Sequence, residues 1–207
     1  MSACRANRRN LRRRRAVVPV IGTALAALAL SACGSGGSSG GGGQTQFVQG
    51  NGGIDVVKDA SGRKAAPELS GETLQGKQLD VNKEYQGKVL VLNVWGSWCS
   101  PCRAEAAGLA KVAKDYQGKG VQFVGLNTRD PNRAPAVAFE KEFGVPYPSL
   151  YDPAGKLILR FPAGSLNPQS IPSTVFIDRE GRIAGRAIKP LTEDDLRQAL
   201  DPLVAEK

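Results

Sequence analysis

The run Lys88–Trp95 (KVLVLNVW) constrains the fold more than any other stretch of the 207 residues. It is apolar at consecutive rather than alternate positions and rich in Val and Leu, the pattern of a strand buried on both faces. Gly96-Ser97 breaks it, and Trp98-Cys99-Ser100-Pro101-Cys102 follows at once. From Pro101 to Tyr116, Leu109, Val112, Ala113 and Tyr116 recur at helical spacing, and Gly118 and Gly120 end the helix. A strand buried on both sides needs cover on both sides, and here it delivers two cysteines to the start of a helix.

The remaining pattern extends this unit. Ile54–Val57 reads as a short strand, and Ala66–Tyr85 as one or two weak strands with turns at Ser70-Gly71 and Gln75-Gly76-Lys77. Val121–Leu126 is a second central strand, and Pro135–Phe143 a helix closed by Gly144. Tyr147–Tyr151 is a short strand and Gly155–Phe161 a short helix. Ser173–Ile177 and Arg182–Ala187 form a hairpin around Asp178–Gly181. Thr192 caps a last helix to Val204, with Glu193, Asp194 and Asp195 in its first turn. Strand–helix alternation closed by a hairpin and helix predicts an α/β sandwich, one sheet with helices on both faces.

The formal charge of +9 suggests a nucleic-acid partner until it is located. Seven of the 28 basic residues are arginines within residues 1–32, which hold no acid, leaving 21 bases against 19 acids elsewhere. No nucleic-acid partner is expected. The arginines precede a 15-residue apolar run, Ala16–Leu30, shorter than the roughly 20 residues needed to span a bilayer. Leu30-Ser31-Ala32-Cys33 resembles a bacterial lipobox, which implies a signal peptide over 1–32 and lipidation at Cys33. An uncleaved signal anchor or an ordinary signal peptide cut nearby are the alternatives. Residues 33–53, nearly all Gly, Ser and polar, read as a flexible tether, leaving 54–207 as the folded domain outside the cytoplasmic membrane.

The cysteines narrow the chemistry further. There are four: Cys4 falls in the signal, Cys33 in the lipobox, and Cys99 and Cys102 remain to pair with each other. With no histidine in the chain, the pair lacks the further ligands of a zinc site and the C-x-x-C-H of haem attachment. Catalysis through an imidazole is excluded. The single methionine is Met1, so thioether copper ligation fails as well, and no cofactor beyond the dithiol is expected. A thiol at a helix N-terminus meets unpaired N–H groups and the positive end of the dipole, which lower its pKa to about 3.5–7.5 from about 8.5. Such a thiolate attacks disulfides. Pro101 suits a first helical turn and keeps Cys102 close enough to resolve a mixed disulfide. The bland alternative is an inert disulfide.

Asn93-Val-Trp-Gly-Ser-Trp-Cys-Ser-Pro-Cys-Arg-Ala-Glu105 resembles the thioredoxin superfamily, and within it the TlpA/ResA-like branch, over about residues 54–206. The resemblance implies a thioredoxin-like α/β fold: a central mixed sheet flanked by helices, with an N-terminal hairpin extension and an inserted βα element, part of it from Thr128–Phe143. It implies a membrane-tethered, extracytoplasmic thiol–disulfide oxidoreductase, acting most naturally as a protein disulfide reductase with Cys99 attacking and Cys102 resolving. Where thioredoxins carry a buried acid, this chain has Asn93; the branch instead places a glutamate at the position of Glu105. Cys102 and Glu105 lie on one helical face, where a carboxyl can move the proton of Cys102 or simply favour the helix dipole. Ile171-Pro172 resembles the cis-proline element that pairs with a substrate backbone, with Trp98 lining the site. Arg103 reads as a solvated first-turn side chain.

Disulfide-containing proteins are the expected substrates, apocytochrome c among them because the branch often serves cytochrome c maturation, and a membrane thiol reductant the electron donor. Two other functions share the core: a peroxiredoxin-like thiol peroxidase, which W-C-x-x-C matches poorly, and a copper or haem chaperone, which would want His or Met.

Overall fold

The computed structural model describes residues 46–206. The expected signal peptide, Cys33 and the first part of the tether lie outside the described residues. In chain order the elements are β1 (Val48–Gln49), β2 (Asp55–Val56), β3 (Ser70–Glu72), β4 (Gln78–Asp80), α1 (Val81–Glu84), β5 (Val89–Trp95) and α2 (Ser100–Asp115). There follow β6 (Val121–Thr128), α3 (Arg133–Phe143), β7 (Ser149–Asp152), β8 (Ser173–Ile177), β9 (Ile183–Ala187) and α4 (Glu193–Ala205). Seven strands form one mixed sheet, ordered β1-β2-β9-β8-β5-β6-β7. β5 pairs in parallel with β6 and antiparallel with β8, so it is central, as its near-continuous apolar run predicts.

The two-residue period of β5 assigns its side chains. Val89 and Val91 pack beneath α2 and α4, against Leu109, Val112, Leu196 and Leu200. Leu90, Leu92 and Val94 point the other way, into a second core with Leu69, Val81, Leu157, Ile158 and Phe161. Asn93 and Trp95 therefore share the α2 face, a placement on which the site depends.

The second face is covered differently from the simple sandwich expectation. Its cover is the hairpin β3-β4, the single-turn α1 and one 3-10 turn at Ile158–Arg160. The helix expected over Gly155–Phe161 is no longer than that, because Pro153, Gly155 and Pro162 bracket it. Ser70 and Gly71, read as a turn, are strand residues paired with Asp80 and Leu79; the chain reverses at Gly76, whose φ is 80°. Between β6 and β8, where an insertion was expected, helix α3 comes first and edge strand β7 follows. Val48 and Gln49, within the stretch read as tether, pair with Val56 and Asp55, so the sheet begins before residue 54. No helix among the described residues is long and apolar enough to cross a membrane.

Gly125 in β6 lets β7 approach. A Cβ there would lie 2.1 Å from Ser149 Oγ and 2.7 Å from Trp95 Nε1. Gly125→Ala is expected to cost about 1–3 kcal/mol, the range for overpacking, read as a lower urea midpoint at unchanged slope.

Candidate active site

β5 ends at Trp95, and a tight turn carries the chain into α2. Gly96 is needed in that turn: a Cβ would stand 2.8 Å from Trp98 Nε1 and 3.1 Å from the Thr128 carbonyl oxygen. The Cys99 N–H donates to Gly96 O at 3.1 Å. Cys99 is the N-cap of α2, with extended backbone (φ −80°, ψ 106°), and its Sγ accepts the Cys102 N–H at 3.2 Å. This sulfur occupies the place of a capping oxygen, using an N–H that the first helical turn leaves without a partner. Cys99 and Cys102 are joined in a disulfide, with Cα atoms 5.2 Å apart. Both are buried, at 3% and 1% exposure.

Two further groups frame the pair. The Ile171–Pro172 peptide bond is cis, and the Ile171 carbonyl oxygen lies 3.8 Å from Cys99 Sγ. Ile171 makes no backbone–backbone hydrogen bond among the described residues. Trp98 is 52% exposed beside the disulfide, whereas Trp95 is buried and stacks on Phe139 with ring centroids 4.3 Å apart. Arg103 does not turn to the sulfurs. It pairs with Glu142 at 2.6 Å and lies over the Phe139 and Phe143 rings, bracing α2 against α3.

Glu105, one turn beyond Cys102, is 3% exposed. Its Oε1 accepts from Asn93 Nδ2 at 2.9 Å and its Oε2 from the Leu191 N–H at 2.8 Å. Asn93 Nδ2 also donates to Thr174 Oγ1 at 3.1 Å, tying the carboxyl to β5 and β8. Burial disfavours the charged form and pushes the Glu105 pKa up to about 7, against the opposing pull of the Leu191 and Asn93 hydrogen bonds. The Asn93 noted for replacing the usual acid is thus the partner of the acid this chain does carry. A cavity of about 10 Å³, the size of one water, is lined by both Cys102 and Asn93.

Sequence reasoning missed Asp130. Buried at the end of β6, its carboxylate accepts from the Ser97 N–H at 2.9 Å, from the Ser97 hydroxyl, and from Asn127 Nδ2 at 2.7 Å. It pins the turn that presents Trp98 and Cys99. The available signal was positional: polar Asn127-Thr-Arg-Asp130 closes an apolar parallel strand, and sites in open α/β sheets gather at such carboxyl ends.

Comparison with known proteins agrees with this geometry. Residues 63–186 match the AhpC/TSA family. The thiol:disulfide interchange protein HelX of Rhodobacter capsulatus is 37% identical over 121 residues, 58% of this chain and 62% of that protein. The thiol:disulfide interchange protein DsbE of Allochromatium vinosum is 33% identical over 69% of this chain and 75% of its own length. The crystal structure of a secreted thiol–disulfide isomerase from Corynebacterium glutamicum superposes with a TM-score of 0.70 at 31% identity, covering 80% of this chain and all of that one. With a dithiol couple at the N-terminus of α2 on a thioredoxin-like sheet, and with these relatives, the chain belongs to the AhpC/TSA family and is a thiol–disulfide oxidoreductase of the DsbE/ResA type.

Proposed function

We propose that this chain is a membrane-anchored, extracytoplasmic protein disulfide reductase, held by lipid on Cys33 and needing no cofactor beyond its two cysteines. The observation that carries the reading is the Cys99–Cys102 pair capping α2, with the cis-Pro172 loop on one side and buried Glu105 behind. In the reduced protein the Cys99 thiolate attacks a substrate disulfide. A Cys99–substrate bond forms, the substrate S–S bond breaks, and one substrate thiolate leaves. Cys102 then gives its proton to the Glu105 carboxylate, one helical turn further along α2, and attacks Cys99 Sγ. The Cys99–Cys102 bond forms and the second substrate thiolate departs. The substrate has gained two electrons, and a thiol reductant at the membrane restores the dithiol.

The unpaired backbone of Ile171 offers a strand-like grip to the segment flanking the substrate cysteine, with exposed Trp98 as an apolar wall. Apocytochrome c is one client that fits. Secretion of the Corynebacterium glutamicum relative supports an extracytoplasmic site of action.

Equilibration of the couple with glutathione tests the direction. A potential near that of thioredoxin, about −270 mV, is expected; one near about −120 mV, the range of strong oxidants, reverses the assignment.

A further inference from the structure

At the end of β6 the chain passes from buried Thr128 through exposed Arg129 to buried Asp130. Arg129 has a φ of 59°, a left-handed backbone that no other non-glycine residue adopts among the described residues. Such a conformation at a long side chain costs free energy and persists only where its surroundings hold it. The kink lets neighbouring residues act in opposite directions. Asp130 reaches inward to Ser97, while Arg129 turns outward with its guanidinium 5.9 Å from the Trp98 ring centre. Arg129 Nη2 donates to the carbonyl of Pro168, in the loop that leads to Ile171-Pro172. One side chain thus spans the rim of the site from Trp98 to the cis-proline loop.

The charge on this rim is unbalanced. Arg103 is neutralised by Glu142 and Arg133 by Glu72. Arg129 has no carboxylate partner among the described residues; its contacts are a ring and one carbonyl. The rest of its donor fork faces solvent beside the place where a substrate segment would pair with Ile171.

We propose that Arg129 is a specificity-determining residue, selecting disulfide substrates that carry a carboxylate side chain next to the reacting cysteine. The inference rests on the exchange reaction proposed above and adds the class of substrate. A segment paired with Ile171 advances about 3.3 Å per residue, so side chains within one or two residues of its cysteine reach the Trp98–Arg129 rim. A carboxylate there meets a guanidinium already oriented by ring and carbonyl, while a lysine meets like charge. Because the pair is solvent-exposed, the expected preference is modest, about two- to fivefold for an acidic over a neutral flank, and it weakens with salt.

The test uses the full chain, reduced beforehand and mixed with synthetic peptides that share one disulfide and differ only in Glu, Gln or Lys beside the cysteine. Second-order rate constants at low salt should fall in the order Glu, Gln, Lys and converge at high salt. Arg129→Asn removes the charge with a residue that tolerates the left-handed backbone, and should bring the three rates together; Arg129→Asp should reverse their order. If both variants slow all peptides equally while the Glu preference persists, Arg129 only supports the rim and the inference is overturned. Equal rates, or faster reduction of the Lys peptide, by the unmodified protein overturn it without any variant. An unmodified protein that reduces none of the peptides refutes the exchange reaction itself, an outcome distinct from unselective reduction.

Discussion

Cys102→Ser is expected to give a protein that captures disulfide substrates and does not release them. Cys99 keeps what makes it reactive in that variant: the N-cap position and the backbone N–H of residue 102, which its sulfur accepts at 3.2 Å. Helix N-terminus and N–H together favour thiolate, so the first exchange proceeds. Serine has no thiolate with which to attack the mixed disulfide, and the second exchange stops. A non-reducing gel should show a covalent adduct with a model substrate that disappears on addition of dithiothreitol, and intact mass should equal protein plus one substrate half. Cys99→Ser should form no adduct, because the N-cap position that favours thiolate belongs to residue 99 and Cys102 lies inside the helix. Turnover falls by several orders of magnitude in both variants, since each removes one of two obligatory bond-forming steps. Adduct formation by Cys99→Ser and not by Cys102→Ser would assign the roles the other way round.

The parts of this molecule legible in the sequence are those whose causes are local. β5 declares itself by seven buried residues in a row, α4 by Thr192 and the acids behind it, and the structure closes that end with a reciprocal capping box between Thr192 and Asp195. The dithiol was legible because so little else competes for its role: without histidine, and with Cys4 and Cys33 in the stretches read as signal and lipobox, few chemistries remain. What stayed hidden depends on contacts between distant segments. Glu105 is held by Asn93, 12 residues away, and by the Leu191 N–H, 86 residues away, and no spacing rule predicts a backbone donor from a loop. The Ser97–Asp130 contact likewise joins two strand ends that adjoin only once β5 and β6 have paired in parallel. The cover of the second face was obscure for another reason: a weak hairpin and a single 3-10 turn carry too few apolar residues to set a period, yet they suffice to bury Leu69 and Val81.

Glu105→Gln should separate the proton-transfer role from a merely structural one, because the two leave opposite marks. The pKa of this carboxyl is raised to about 7 in the folded protein and is ordinary in the unfolded chain. Between those values the folded state binds the extra proton, so stability falls as pH rises from about 4.5 to about 7 and is level above. The charged carboxylate therefore costs on the order of 3 kcal/mol at pH 8. Glutamine has no such cost and can keep the hydrogen bonds: its carbonyl accepts from the Leu191 N–H, and its amide donates to Asn93 once that amide is turned over, with the Thr174 hydroxyl rotating to match. The variant is expected to melt higher than the unmodified protein at pH 8 and close to it at pH 4. Its chemistry should move the other way. Without a carboxylate to receive the Cys102 proton, single-turnover disulfide exchange should slow by about a hundredfold, the low end for a lost general base, and the rate should lose its inflection near pH 7. A more stable and slower enzyme identifies the carboxylate as a functional burden placed behind the resolving sulfur. Equal rates across the pH range, alongside the same gain in stability, would leave Glu105 as a buried acid with no part in the exchange.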